Sequence, residues 1–391
     1  EQVQQEIQKA EFPVQPMLHS MLAEMYWNYY QQNRYRFYNR STTVDFKQED
    51  IRTWDVKKIV EECITQYQLS LKESKKLQQV QIDIYDEILN HENHQNYIPD
   101  GRKLRPTLYD FLAHRAIDFF MNQEPDITQP AEKFVLDKEE YFADAKEFSK
   151  IKLTTKDTLS YKFYALKLLQ DVIKFHVDDK TPNALVDVDL KRLKFVYQHS
   201  VCEGKDGIDG LYGHALVKME NKYTDNEISA EINYHIAQYS YQQSQKYNPL
   251  QPEYISAGPS LYIKGKMYRP KNLKDVGFSK TEKYKWDAEY AYRVCQGAIE
   301  KFPNSYGAGL CKNLQAQIQH KNLQMQIEQT NIPEKPFRAL LTYKNVDTIY
   351  CKIVKTTREE LDDLYEEHEK NQRKKNAAYK EFSQTIIEYY R

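Results

Sequence analysis

The side chains able to perform chemistry in this sequence do not form a recognisable catalytic motif. His91 and His94 are three residues apart rather than the four of an HExxH metal site, and their polar surroundings favour a solvated loop. The cysteines form no CxxC pair and no Cys/His spacing that closes a zinc site; they are Cys63, Cys202, Cys295, Cys311 and Cys351. No Ser/His/Asp set stands in a motif such as GxSxG. We therefore predict no catalytic, cofactor-binding or metal-binding residue, and no enzymatic activity.

Two cysteines are close enough in sequence to be neighbours in the fold. Cys295 and Cys311 are 16 residues apart on what the pattern predicts to be adjacent antiparallel helices. A disulfide between them is sterically possible, but the sequence favours two small buried thiols.

Three glycines, Gly204, Gly207 and Gly210, have the spacing GxxGxxG. This is not the dinucleotide-binding fingerprint, and no predicted strand precedes it. We therefore expect a flexible loop at these residues.

Aromatic residues are dense near the amino terminus. Tyr26, Trp27, Tyr29 and Tyr30 are followed by Tyr35, Phe37 and Tyr38. Such rings can stack on bases or sugars, but on a helix they are more often a packing face. We predict packing.

Composition narrows the class of fold that must position these residues. The 391 residues carry a net charge of −1, which argues against an electrostatic nucleic-acid binder. The 11 glycines are roughly 3% of the chain, against an average of roughly 7%. Since Rossmann loops, barrels and phosphate cradles depend on glycine, a helical array is favoured. The sequence has no apolar run long enough for a transmembrane helix.

Apolar residues recur at helical spacing through most of the chain. The predicted helices are 17–37, 56–71, 108–120, 139–148, 158–175, 189–197, 211–223, 227–247, 290–301 and 306–328. Thr224 and Thr357 each begin a Thr-x-x-Glu sequence, which predicts a capping box at the start of the following helix. Between residues 248 and 283, prolines and glycines predict a long loop insertion.

An internal repeat indicates how these helices stack. Residues 164–173 align without gaps on residues 290–299, and the second copy, followed by Pro303, resembles the second helix of a tetratricopeptide repeat. We expect a tetratricopeptide-like helical array. Ordinary bundle helices that happen to share Ala and Ile are the alternative.

The hydrophobic period changes near residue 331. Apolar residues alternate in 337–343 and again in 349–353, which predicts two strands joined by a short turn. Residues 358–390 then predict a long charged helix with a solvated face. The predicted organisation is an amino-terminal helical bundle (1–124), a tetratricopeptide-like domain (125–330) and a β-hairpin with its helix (331–391).

Several segments together resemble one family. They are Leu22–Arg34, Gly101–Ala116, Ala298–Ser305 and the run from Asn331 through Pro333, Pro336 and Phe337 to Tyr350. They are similar to the amino-terminal helical region and the start of the first macroglobulin domain of bacterial alpha-2-macroglobulin-like proteins, particularly those of Bacteroidetes. The resemblance implies that residues 331–391 open an incomplete macroglobulin β-sandwich.

The resemblance also implies a function. Members of this family are exported or lipid-anchored periplasmic proteins that trap proteases after a bait segment is cleaved. This chain has no Cys-x-Glu-Gln thioester motif, so no family catalytic residue transfers to it. We expect a non-enzymatic scaffold or protein-interaction module of such an endopeptidase inhibitor, located in the periplasm or cell envelope. Its partners would be other domains of the parent chain, proteases or envelope proteins.

Since the sequence begins at Glu1 rather than Met, we expect any targeting signal to lie upstream. The alternative is a Tyr-rich helical glycan-binding protein of an outer-membrane uptake system.

Overall fold

Two compact units make up the chain, Glu1–Gln319 and His320–Arg391. The computed structural model describes residues 2–38, 50–89, 101–122, 133–202, 207–247, 262–263, 266–267, 284–328, 332, 335–351 and 357–389. The first unit is built of helices, and the second contains a two-stranded antiparallel sheet and one long helix. The predicted mostly helical fold is therefore confirmed. Across these ranges, no helix combines the length and the apolar character needed to cross a membrane.

The amino-terminal part of the first unit is a series of helices centred on one packed pair. They are α1 (Gln2–Lys9), α2 (Val14–Gln32), α3 (Arg34–Tyr38), α4 (Val56–Ser70), α5 (Ser74–Leu77), α6 (Asp86–Leu89), α7 (Gly101–Leu104) and α8 (Leu108–Phe120). Helices α2 and α4 pack along each other. Their buried residues follow the spacing of one helical face: Leu22, Ala23, Tyr26 and Tyr30 on α2, and Ile59, Val60, Cys63, Ile64 and Tyr67 on α4.

Side-chain caps define where these helices begin. Asp55 Oδ1 accepts a hydrogen bond from the backbone N–H of Lys58 at 2.8 Å, which caps α4. Thr107 and Asp110 form a reciprocal capping box at the start of α8, and both residues are buried. A cap of this kind is worth about 1 kcal/mol. The Thr107 capping box carries Asp at its fourth position, so a search for Thr-x-x-Glu does not find it.

The rest of the first unit continues as stacked helices. They are α9 (Ala145–Phe148), α10 (Tyr161–His176), α11 (Asn183–His199), α12 (Gly207–Tyr223), α13 (Ser229–Ser244), α14 (Asp287–Lys301) and α15 (Tyr306–Gln319). Helix α10 packs on α8 and α11, while α13 packs on α12, α14 and α15. The two aligned segments of the internal repeat lie in α10 and α14. Helix α14 ends two residues before Pro303, as the sequence predicts.

The backbones of α13 and α15 approach closely at Gly307. A Cβ atom built on Gly307 would lie 2.2 Å from the backbone nitrogen of Glu231 and 2.3 Å from the carbonyl carbon of Ala230. Only glycine permits this contact, because no real Cβ approaches other atoms so closely. Gly307 therefore sets the distance between these two helices.

The second unit contains the strand pair β3 (Asn322–Ile327) and β4 (Ala339–Lys344), and helix α16 (Arg358–Tyr389). The strands pair antiparallel, with Asn322 opposite Lys344 and Ile327 opposite Ala339. The predicted capping box of α16 is present: the Thr357 backbone N–H donates to Glu360, and the Glu360 N–H donates to the Thr357 hydroxyl. In the insertion 248–283, the described residues form the short pair β1 (Tyr262–Ile263) and β2 (Lys266–Met267).

Two predictions about this hairpin were wrong. The helix predicted to reach residue 328 ends at Gln319, because Asn-Leu-Gln-Met-Gln-Ile at 322–327 alternates with the period of a strand. The second strand was predicted at 349–353, but β4 pairs with residues 322–327 instead. Asn345 follows β4 with φ of 54°, and its side chain donates to the backbone carbonyl of His320 at 3.2 Å. This contact ties the two ends of the hairpin together.

Three local predictions in the first unit were also wrong. The Thr224 capping box is not formed, and α13 begins at Ser229. Asn226 forms the turn instead, because its side chain accepts a hydrogen bond from the Ile228 N–H, while the Thr224 hydroxyl donates to Glu220. The region predicted as one helix at 139–148 is a 3-10 turn (Glu139–Phe142) followed by α9. The expected flexible loop at GxxGxxG is the first turn of α12 at Gly207 and Gly210, while Gly204 lies outside the described residues.

The predicted domain boundaries have a simple relation to these units. The break expected after residue 124 falls outside the described residues, and the break expected after residue 330 lies eleven residues beyond the end of the first unit at Gln319. Helices on both sides of residue 124 pack together, since α8 contacts α10 and α7 contacts α11. The two helical segments thus share one compact unit.

Candidate functional site

One face of the β3–β4 hairpin is apolar and exposed. Directly paired residues of antiparallel strands lie on the same side of the sheet, and sides alternate along each strand. The observed register therefore defines an apolar face made of three cross-strand pairs: Leu323 with Tyr343, Met325 with Leu341, and Ile327 with Ala339. Met325 is 57% exposed and Tyr343 is 63% exposed. This apolar face is a surface suited to binding another polypeptide segment.

The opposite side of the hairpin is mainly polar. It carries the pairs Asn322 with Lys344, Gln324 with Thr342, and Gln326 with Leu340. A two-stranded hairpin alone is marginally stable in water, because it has no layer to pack against. The division into a polar and an apolar face is typical of a hairpin with one side covered and the other solvated. The geometry thus favours an interaction surface.

Ionisable groups inside the helical unit form separate clusters, and the first joins α8 to α10. His176 Nε2 lies 2.7 Å from Asp110 Oδ1, and its Nδ1 lies 2.7 Å from Asp179 Oδ2. Burial alone would lower the pKa of His176, but hydrogen bonds to the two carboxylates outweigh it and raise the pKa. Asp110 also accepts from the Thr107 backbone N–H. Both imidazole nitrogens are thereby engaged, so this cluster is a structural link.

A second cluster surrounds Arg192, which is fully buried on α11. Its guanidinium pairs with Asp189 and donates to the backbone carbonyls of Tyr141 and Ala143. It also lies 4.4 Å from the ring centroid of Phe148. These two carbonyls accept hydrogen bonds from Arg192 instead of from the backbone N–H groups of a continuous helix. This difference explains why residues 139–148 form two short turns rather than one helix. A charge with this many partners is held in place and is not available to a ligand.

A third cluster lies between α7, α8, α11 and α13. Arg105 Nε donates to Asp187 Oδ2 at 3.3 Å, and His114 Nε2 lies 3.8 Å from the same oxygen. Burial, reinforced by Arg105 and Lys191, lowers the pKa of His114 well below its usual value, so its imidazole is neutral. Burial also raises the pKa of Asp187, against the influence of Arg105.

Glu231 on α13 faces this third cluster. Its residue is only 7% exposed, and its Oε2 has no hydrogen-bond partner among the described residues. Burial, with a smaller contribution from the Asp187 carboxylate, raises the pKa of Glu231 to about 8. Groups with perturbed pKa values often mark functional sites. The raised pKa makes the contact between Glu231 and this cluster sensitive to protonation.

The aromatic residues near the amino terminus mostly pack against other side chains. Tyr26 and Tyr30 are buried, and Trp27 packs edge-on against Phe119 at 5.1 Å, whereas Tyr35 is 92% exposed. The aromatic cluster is thus largely a packing face. A second aromatic group stacks Tyr197 on Tyr212 at 4.4 Å, with Tyr197 donating to Asp209 at 2.8 Å.

The two cysteines considered for a disulfide, Cys295 and Cys311, are buried as free thiols. A hydrogen bond with Cys311 and burial raise the pKa of the Cys295 thiol. This arrangement agrees with the two buried thiols that the sequence favours. His91 and His94 lie outside the described residues. Within the described ranges, no group of three or more His, Cys, Asp or Glu side chains is arranged to hold a metal ion.

Sequence reasoning missed Glu231, Asp187 and Arg192. Glu231 and Arg192 are charged residues on the inward faces of predicted helices, and Asp187 lies just before the predicted helix 189–197. No motif distinguishes them from charged residues on a solvated face. Comparison of this chain with models of protein families, with curated proteins and with solved structures found no match.

Proposed function

We propose that this chain is a non-enzymatic scaffold and protein-interaction module, the amino-terminal part of an alpha-2-macroglobulin-like protease-trapping protein of the cell envelope. The observation that carries the proposal is the exposed apolar face of the β3–β4 hairpin. In this proposal, further strands of a first macroglobulin domain cover that face. The sequence resemblance over residues 331–350 supports the assignment, since it includes β4.

The helical unit has the character of a scaffold. Its ionisable clusters at His176 and Arg192 join elements together, with their polar atoms occupied by side chains and backbone carbonyls. The similarity between the aligned segments in α10 and α14 supports a tetratricopeptide-like array, in which helices stack and leave a continuous surface for partners.

The proposal is tested on a longer protein. The chain is produced alone and together with the segment that its gene encodes after Arg391, and hydrogen exchange is measured at the amides of β3 and β4. We expect a β-rich segment to follow and to slow exchange in both strands by at least about tenfold. A downstream segment without β-structure, or unchanged exchange, would refute the macroglobulin assignment.

A matched pair of variants tests the role of the apolar face. Met325→Lys with Leu341→Lys places charges on the apolar face, while Gln324→Lys with Thr342→Lys places the same charges on the adjacent pair of the polar face. In the longer protein, we expect only the apolar-face variant to lose the added protection. Equal effects of the two variants would show that the face is not the contact.

The glycan-binding alternative makes a separate prediction. Many tyrosines of the helical unit, including Tyr67, Tyr109, Tyr212, Tyr239 and Tyr290, are buried in the core rather than presented to solvent. This distribution favours the scaffold. Calorimetric titration with a panel of glycans distinguishes the two functions, because the scaffold predicts no heat of binding and the alternative predicts saturable binding.

A further inference from the structure

Helix α16 is an unusually exposed element. It runs for 32 residues, about 48 Å at 1.5 Å per residue. Side chains are described from Arg358 to Lys375 except at Leu361, and all of these are exposed. They include Leu364, which is 60% exposed, and Tyr365, which is 68% exposed. Since helices in water are stabilised chiefly by packing of one face, a helix of this kind is suited to a partner.

The charges of α16 are segregated along its length. The acidic block, residues 359–369, contains Glu359, Glu360, Asp362, Asp363, Glu366, Glu367 and Glu369 and no Lys or Arg. The basic block, residues 370–380, contains Lys370, Arg373, Lys374, Lys375 and Lys380 and no Asp or Glu. Two ion pairs span the junction between the blocks: Glu366 with Lys370 at 3.1 Å, and Glu369 with Arg373 at 3.2 Å.

Most of each block is too far from the other to pair within one helix. Glu359 and Lys375, for example, are separated by about 24 Å along the axis. A second α16 running antiparallel would bring each acidic block beside the basic block of the other copy. A parallel arrangement would place like charges side by side, which is unfavourable.

We propose that α16 is a self-association surface that binds the α16 of a second copy of this chain in antiparallel orientation. The two-fold axis passes near residue 370, so the acidic block of one copy, residues 359–369, lies along the basic block of the other, residues 370–380. This arrangement is isologous, since the same segment of each copy supplies both charges. It also brings position 361, a leucine, level with position 379, a tyrosine.

Sedimentation equilibrium of the full chain, at low and high ionic strength, tests the proposal with charge-reversed variants. Asp363→Lys with Glu367→Lys reverses part of the acidic block, and Lys374→Glu with Lys375→Glu reverses part of the basic block. These four side chains are exposed and none belongs to the two junction ion pairs. We expect a dimer at low ionic strength that weakens as salt screens the charges, and each variant alone to weaken it by about tenfold or more.

Recovery of the dimer when the two reversals are combined would establish the antiparallel orientation and exclude misfolding as the cause of its loss. An equimolar mixture of the two variants, and a single chain that carries all four substitutions, should both recover the dimer. Lys72→Glu with Lys75→Glu is the control, because it alters net charge equally on exposed residues of the helical unit. A monomeric parent chain, a dimer unaffected by the reversals, failure of both rescues, or tighter association of the acidic-block variant would overturn the proposal. The last result would indicate a parallel pair.

Discussion

At the scale of single residues, the interior of this protein holds more charge than its sequence motifs indicate. Arg192 and Asp189 are almost completely buried and pair with each other, and Arg192 also donates to two backbone carbonyls. Glu231 differs because one of its carboxyl oxygens has no partner among the described residues. The pKa of this carboxyl, raised to about 8, makes the group sensitive to pH near neutrality.

Replacing Glu231 with glutamine should remove a pH-dependent loss of stability. The native state holds its proton up to about pH 8, while the unfolded chain releases it near pH 4.5. The free energy of unfolding therefore falls as pH rises between these values and levels off above them. Between pH 6.5 and 8.5, urea unfolding should show the parent losing about 2 kcal/mol relative to Glu231→Gln.

The pH window and the control isolate this carboxyl. Burial lowers the pKa of nearby His235 to about 4. This imidazole therefore makes stability depend on pH mainly below about pH 6.5, outside the chosen range. Glu227→Gln removes an exposed carboxyl just before the same helix and is the matched control. Parallel curves for the parent and Glu231→Gln would contradict the assignment.

At the scale of elements, helices α2, α4 and α15 show how far periodicity predicts structure. The buried faces of α2 and α4 follow directly from spacings of three and four residues. The boundary of α15 does not, because Leu314, Ile318, Leu323 and Ile327 are spaced by four or five and are compatible with a continuing helical stripe. Residues 322–327 also alternate strictly, and pairing with β4 satisfies their backbone hydrogen bonds. The spacing of residues within 306–328 carries no information about β4, because that strand lies further along the chain.

Substituting Gly307 tests the contact between α13 and α15. Its Cβ would overlap the backbone of α13 at Ala230 and Glu231, so Gly307→Ala should destabilise the helical unit by about 3 kcal/mol. Gly309→Ala, two residues later in the same helix, meets nothing within 4 Å and should be neutral or stabilise by about 0.5–1 kcal/mol. Thermal unfolding measures both. Similar effects of the two substitutions would show that the close approach does not constrain the helices.

At the scale of the whole molecule, helix content and helix positions are predictable from sequence, but the candidate sites are largely not. Low glycine content and helical periodicity are local properties, and both led to the correct fold class. The apolar face of the hairpin depends on which strands pair, and the third cluster brings together Arg105, which follows α7, Asp187 on α11 and Glu231 on α13. Such long-range groupings cannot be read from spacing alone.

The two compact units should unfold separately. All three tryptophans, Trp27, Trp54 and Trp286, lie in the first unit, so their fluorescence reports only on the helices before Gln319. Circular dichroism also reports on α16. In urea, we expect part of the helical signal to be lost before tryptophan fluorescence changes, because those side chains of the second unit that the structure describes bury little apolar surface. Superimposable transitions would instead indicate one cooperative unit.

The contacts of Arg192 also impose an order on folding. The carbonyls of Tyr141 and Ala143 receive their hydrogen bonds from a side chain about fifty positions later in the chain. Closing a loop of that length is slower than forming any single helix turn. We therefore expect the segment before α9 to reach its native conformation only once α11 has formed and placed Arg192 beside it.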